Sequence, residues 1–197
     1  MAPRIFAAMF QRLTDYIRAR VEADDASLNF VLSHFKPAKA KRGELLLNFG
    51  DVCRYCYFTN KGAIQIFYLD KNGDEATRDF VFEGTWVTEL SSFIHQKPAK
   101  ESFKALEPLE LLAISRDNFF KLVEAVPQFA HIYQKNLELS YTRSVERIGS
   151  FVSMDAEQRV RWLYESQPHL LTRLSNKAVA SYLGISPETL SRMKARL

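Results

Sequence analysis

Cysteine is scarce in this chain: Cys53 and Cys56 are the only two among 197 residues. An iron–sulfur cluster needs four such ligands and is excluded. The C-x-x-C spacing is that of a redox pair or of half a zinc site. No histidine or second cysteine pair stands at metal-ligand distance in the sequence, so the zinc reading lacks its remaining ligands. The run VCRYCYFTN reads as a strand, where positions i and i+3 face opposite ways. Two structural thiols are therefore expected. The four histidines, His34, His95, His131 and His169, are scattered, and none is assigned as a haem ligand. No cofactor and no metal are expected. Long apolar runs are also lacking, which excludes a membrane-spanning helix. The N-terminal stretch MAPRIFAAMFQRLTDYIRARVEADD is charged from Arg4 onward and lacks a signal-peptide layout, so a cytoplasmic protein with no membrane partner is expected. No Ser-His-Asp set, paired carboxylates or phosphate loop can be placed, and an enzyme is not expected.

What is present is a core-forming composition, 47% hydrophobic and 13% aromatic. The net charge of +4 is unevenly placed. Residues 143–197 hold nine Lys/Arg against five Asp/Glu, while residues 1–142 hold eighteen of each. A basic excess confined to the last quarter of the chain suggests a polyanionic partner for that segment.

Periodicity divides the chain into helical, β-rich and again helical parts. Ile5, Phe6, Met9, Phe10, Leu13 and Ile17 recur at helical spacing. A short helix is predicted from Asp25 to His34, capped by Asp24 or Asp25 and closed by Pro37. Strands are then predicted at 44–47, 53–59, 63–69, 77–82, 103–105 and 109–114, with Asn72-Gly73 as the clearest hairpin signal. Such a series suggests a small sandwich or jelly-roll-like barrel. Helical pattern returns at Arg116, stops at Pro127, and resumes as a long helix from Phe129 to about Val152. Ala130, Leu137, Tyr141, Ser144, Ile148 and Phe151 form one stripe on it, Ile132 and Leu139 the start of another. Two stripes suggest a helix that packs on its own domain and on a second copy. Asp155 and Gln158 are spaced as a capping box for the next helix, and Pro168 follows it. The expected domains are 1–128, 129–153 and 154–197.

The tail NKAVASYLGISPETLSRMKARL meets the demands of a helix-turn-helix in register. Ala180 is small where two helices cross. Gly184 can take the left-handed conformation that ends the first helix. Val179, Leu183, Ile185, Leu190 and Met193 are apolar where the pair must be locked. Ser186 can cap the second helix, with Pro187 as its first residue. The exposed face of that helix then carries Glu188, Thr189, Ser191, Arg192, Lys194 and Arg196. Arginine can bind guanine through two hydrogen bonds and glutamate can accept from the cytosine amine, whereas Lys177 and Lys194 suit phosphates. Ser186 completes the expected DNA-binding set.

The order of elements resembles the Crp/Fnr superfamily, the cyclic-AMP receptor protein and fumarate-nitrate regulators, and the segment Ala180–Arg192 is similar to that of short members from the Bacteroidetes. The resemblance implies an α+β fold: a β-roll of the cyclic-nucleotide-binding type, a long dimerisation helix and a C-terminal helix-turn-helix domain. It implies base reading by Glu188 and Arg192 and a hinge at Asp155. The family's effector cassette has Gly-Glu followed by Arg-Ser or Arg-Thr. Here Glu89 matches, Thr88 stands for the glycine, Ala99 for the arginine and Lys100 for the hydroxyl residue. The implied effector residues are Glu89, Leu90, Ser91, Lys100, Ser102, Tyr141 and Ser144. Without a bidentate cation for the phosphate, tight cyclic-AMP binding is not expected; another small-molecule effector stays open. Many members carry a β-wing after the recognition helix, and the 197 residues reach only to that helix. The expected function is a homodimeric, sequence-specific transcription regulator bound to pseudo-palindromic double-stranded DNA, with RNA polymerase a candidate partner. The alternative is a small-ligand-binding signalling module whose C-terminal domain contacts proteins.

Overall fold

The computed structural model describes residues 3–196, with side chains from Met9 onward. Its elements are α1 (Pro3–Arg18), α2 (Asp25–Ser33), β1 (Lys36–Ala40), β2 (Leu45–Leu47), β3 (Tyr55–Lys61), β4 (Ile64–Leu69), β5 (Glu75–Val81), β6 (Trp86–Val87), α3 (Leu90–His95), β7 (Ser102–Ala105), β8 (Leu109–Ser115), α4 (Arg116–Ala125), α5 (Pro127–Ser153), α6 (Ala156–Ser166), α7 (Pro168–Arg173), α8 (Asn176–Leu183) and α9 (Pro187–Lys194). The fold class is α+β, as expected. Among the described residues no helix is long and apolar enough to cross a membrane.

Two compact units emerge. The first holds residues 1–66 and 80–137, the second residues 67–79 and 138–197. The β-roll has two four-stranded sheets in the orders β1-β8-β3-β6 and β2-β7-β4-β5. Strand β8 is the spine of the first sheet: it pairs antiparallel with β1 and with β3, placing Phe58 opposite Leu112 and Cys56 opposite Ile114. Phe58, Leu111, Leu112 and Ile114 are fully buried there. Burying each such side chain contributes roughly 1.5–3 kcal/mol. Trp86 gathers an aromatic cluster, its ring 5.1 Å from Phe58, 5.8 Å from Phe35 and 6.0 Å from Tyr16. The Tyr16 hydroxyl donates to Asn136 Oδ1 at 2.7 Å, which ties α1 to α5.

Several sequence expectations change. Pro37 does not close α2; it lies inside β1, which pairs only with β8 at the rim of its sheet, where a missing N–H is tolerated. Pro127 does not precede the long helix but begins it; Pro168 follows α6 as expected and also opens α7, because proline fits the first turn of a helix. Cys53 precedes β3 rather than belonging to it. Both thiols are buried and free.

Candidate nucleic-acid interface

The second unit brings the C-terminal helices around a small apolar core of Val160, Leu163, Leu170, Val179, Leu183 and Leu190. Each helix start is marked chemically. Asp155 accepts from Gln158 N–H and Gln158 Oε1 accepts from Asp155 N–H, both at 2.9 Å, which completes the capping box. Ser175 caps α8 and Ser186 caps α9, accepting from Ala178 and Thr189 N–H at 3.3 and 3.2 Å. Gly184 ends α8 at φ 68°. A Cβ there would lie 2.9 Å from Phe151 Cε1, so both backbone conformation and space require glycine. The Ile185 N–H donates to the Ala180 carbonyl at 3.0 Å and closes the turn. Ala180 is fully buried at the helix crossing. These features make α8 and α9 a helix-turn-helix.

The predicted DNA-facing residues share this unit. Lys177, Ser186, Glu188, Ser191, Arg192 and Arg196 are exposed, while Thr189 and Lys194 are half-buried. Glu188 and Arg192 stand one turn apart. The carboxyl of Glu188 is held below its ordinary range, first by its own backbone N–H, then by the Ser186 hydroxyl and the nearby Arg192 guanidinium. Arg192 Nη2 also donates to Thr189 Oγ1 at 3.3 Å. The pair is thus a charged acceptor and a charged donor side by side on the open face of α9.

Lys194 differs from the expectation of a bare phosphate contact. Its ammonium donates to Asn176 Oδ1 at 3.2 Å and reaches the Leu171 carbonyl at 3.5 Å. Asn176 Nδ2 in turn donates to Ser191 Oγ at 3.3 Å. Asn176 therefore links the first turn of α8 to two positions on α9, and sequence reasoning missed it. Its only signal was its place directly after the Ser175 cap. Arg159 was also missed: it donates to the Leu183 and Met154 carbonyls at 3.1 and 2.9 Å and so fixes the end of α8.

The expected effector residues fall on several elements. Glu89 caps α3, its carboxylate accepting from Ser92 N–H. The Ser92 hydroxyl accepts from Cys53 N–H at 2.8 Å and donates to the Lys97 carbonyl. Ser102 Oγ accepts from Phe49 N–H at 2.9 Å. Ala99, at the arginine position, is buried. Leu90, Ser91 and Lys100 are exposed. Tyr141 and Ser144 lie in the second unit, where Tyr141 is exposed and Ser144 donates to the Ser140 carbonyl within its own helix. An apolar hollow lined by Ile17, Leu28, Val31, Phe129 and Ile132 involves none of these residues.

Comparison with known proteins matches this arrangement. Residues 37–126 match the cyclic nucleotide-binding domain family. The chain is 21% identical over 179 residues to the cAMP-activated global transcriptional regulator CRP of Salmonella typhimurium, covering 86% of this chain and 85% of that protein. It is 27% identical over 186 residues to the transcriptional activator protein Anr of Pseudomonas protegens, covering 88% and 74%. The chain thus carries a cyclic nucleotide-binding domain and is similar along most of its length to transcription regulators of the Crp/Fnr type. Solved structures share its fold. The c-di-GMP responsive global regulator CLP of Xanthomonas campestris superposes with a TM-score of 0.71 at 19% identity, covering 88% of this chain and 91% of that one. FixK2 of Bradyrhizobium japonicum gives 0.71 at 17% identity, covering 83% and 84%. The cyclic nucleotide-binding domain match ends at residue 126, and α8 and α9 follow it in the chain.

Proposed function

We propose that the chain is a homodimeric, sequence-specific DNA-binding transcription regulator, and that cyclic AMP is not its effector. The observation that carries the DNA reading is the division of α9: Leu190 is fully buried, while Glu188, Arg192 and Arg196 stand on the open side. A helix anchored on one face and lined with charged donors and acceptors on the other can lie in the major groove and read base edges.

The dimer reading rests on α5. In its second half Tyr141, Val145, Ile148 and Val152 are 73%, 48%, 63% and 82% exposed. They recur four, three and four residues apart, the seam spacing of a coiled coil. An apolar stripe of this length on a long helix is suited to a second copy of itself. Two-fold pairing then predicts a pseudo-palindromic site with half-sites about 34 Å apart.

The effector reading rests on the cassette. The Glu89 carboxylate is spent on capping α3, and the arginine position is a buried alanine. A phosphate placed there meets no bidentate cation, and the exposed Lys100 supplies at most a point charge. Selection from a random DNA pool with the full chain tests the central reading. An enriched two-fold motif is expected; a pool that stays random overturns it. Calorimetric titration with cyclic AMP is expected to show no micromolar binding.

A further inference from the structure

Strand β5 closes one end of its sheet, so the backbone groups on its outer side have no neighbouring strand. Glu75 and Thr77 are two residues apart, which turns their N–H and C=O groups to the same side. Within the second unit, side chains from the helices meet three of these groups. The Ser181 hydroxyl accepts from Thr77 N–H at 2.9 Å and donates to the Glu75 carbonyl at 2.7 Å. Arg147 Nη2 donates to the Thr77 carbonyl at 2.9 Å. One serine hydroxyl thus does the work of a paired strand residue, giving one bond and taking one. Arg147 is itself fixed: its guanidinium lies 4.0 Å from the centre of the Tyr182 ring and 4.9 Å from that of Phe151. Tyr182 and Thr77 are both buried.

We propose that Ser181 and Arg147 are positioning residues that clasp α8 to the outer edge of β5, so that a displacement of the β4–β5 hairpin is passed to the recognition helix. The hairpin lies inside the cyclic nucleotide-binding domain match, residues 37–126, and is continuous in the chain with the rest of that domain. Helix α9 follows α8 through the closed Gly184 turn and the Asn176 contacts to Ser191 and Lys194. The clasp therefore joins an edge of the sensor sequence to the DNA-reading pair by the two Ser181 hydrogen bonds, while Arg147 on α5 adds a third to Thr77 and lies against the Tyr182 ring of α8; none of these involves a residue assigned to DNA. This inference rests on the DNA-reading function proposed above. A cover that merely shields a strand edge would protect Thr77 too, but it would not make Thr77 respond to events at α9.

Hydrogen exchange of the backbone segment 75–79 in the full chain separates the two. Ser181→Ala, a helix-favouring change at a half-buried position, is expected to speed exchange of that segment about tenfold. Equal exchange in wild type and variant overturns the clasp. Leu190→Val, which loosens α9 from its core, is expected to speed exchange at 75–79 in the wild-type background and to leave it unchanged in the Ser181→Ala background. No response of 75–79 to Leu190→Val overturns the transmission. A duplex enriched from the random pool is expected to slow exchange at 75–79 in wild type only. Slowing that persists in Ser181→Ala, or acceleration in wild type, overturns it as well. Should wild type enrich no duplex, the DNA reading fails by itself, and the first two measurements still decide the clasp.

Discussion

Asn176 and Lys194 stand eighteen residues apart in the chain, yet the ammonium of one lies 3.2 Å from the side-chain oxygen of the other. The contact joins the first turn of one helix of the reading pair to the last turn of its partner. It changes what Lys194 is expected to do, since a cation spent on an internal brace is only partly offered to phosphate.

Lys177→Ala and Arg196→Ala remove cations on exposed positions. Each is expected to weaken binding to all sequences alike and to lower the slope of log affinity against log salt by about one unit. Lys194→Ala is expected to lower the slope by less than either and to weaken the specific site more than random DNA, because it also loosens α9. Fluorescence titration at several salt concentrations distinguishes the three.

Arg192→Ala is expected to cost about 1–3 kcal/mol of discrimination at one base position in each half-site, with binding to random DNA retained. Repeating the pool selection with the variant checks this. A motif identical in every position removes Arg192 from the base-reading set.

At Gly184 the expected damage is to stability. An alanine must hold φ 68° at a cost of about 1–2 kcal/mol, and its Cβ must push against Phe151. Thermal unfolding of Gly184→Ala should fall by several degrees. Adding Phe151→Leu should return part of the loss by clearing the ring.

Ile148→Asp places a charge in the middle of the exposed stripe of α5. Sedimentation is expected to show a shift from dimer to monomer, and affinity for a two-half-site duplex should drop far more than affinity for a single half-site.

Burial pushes the Cys53 thiol up, pushes that of Cys56 further, and raises the Tyr57 hydroxyl to about 12. In the unfolded chain the thiols ionise near their ordinary value of 9.0. Above that pH the unfolded state releases protons that the folded state keeps, so stability is expected to fall as pH rises through 9 and beyond. Denaturant melts between pH 7 and 10 test the direction, and Cys56→Ser should reduce the slope. Native protein should also resist a thiol reagent that labels both cysteines after denaturation.

The sequence exposed the helix-turn-helix almost completely, because its constraints are local. Ser186-Pro187, Gly184 and the Asp155/Gln158 box each act over three or four residues, and all stand as expected. Short elements were harder. Helices α3 and α7 have six residues each, too few for an apolar period to declare itself. Strand β1 carries two lysines and a proline and owes its place to pairing with β8, seventy residues on. The effector residues were named by resemblance as letters, and letters do not say whether a carboxylate is free or already capping a helix. The clasp on β5 was invisible because it uses backbone groups, which every residue has.

That covered strand edge also bears on how the protein can be cut. A fragment ending before Ser181 keeps β5 but loses the hydroxyl and, if cut before Arg147, the guanidinium that occupy its outer side. The sensor half expressed alone would present a bare ribbon of donors and acceptors, a template on which a second fragment can add its own strand. Its tendency to stick would then belong to the missing helices rather than to any flaw in the β-roll.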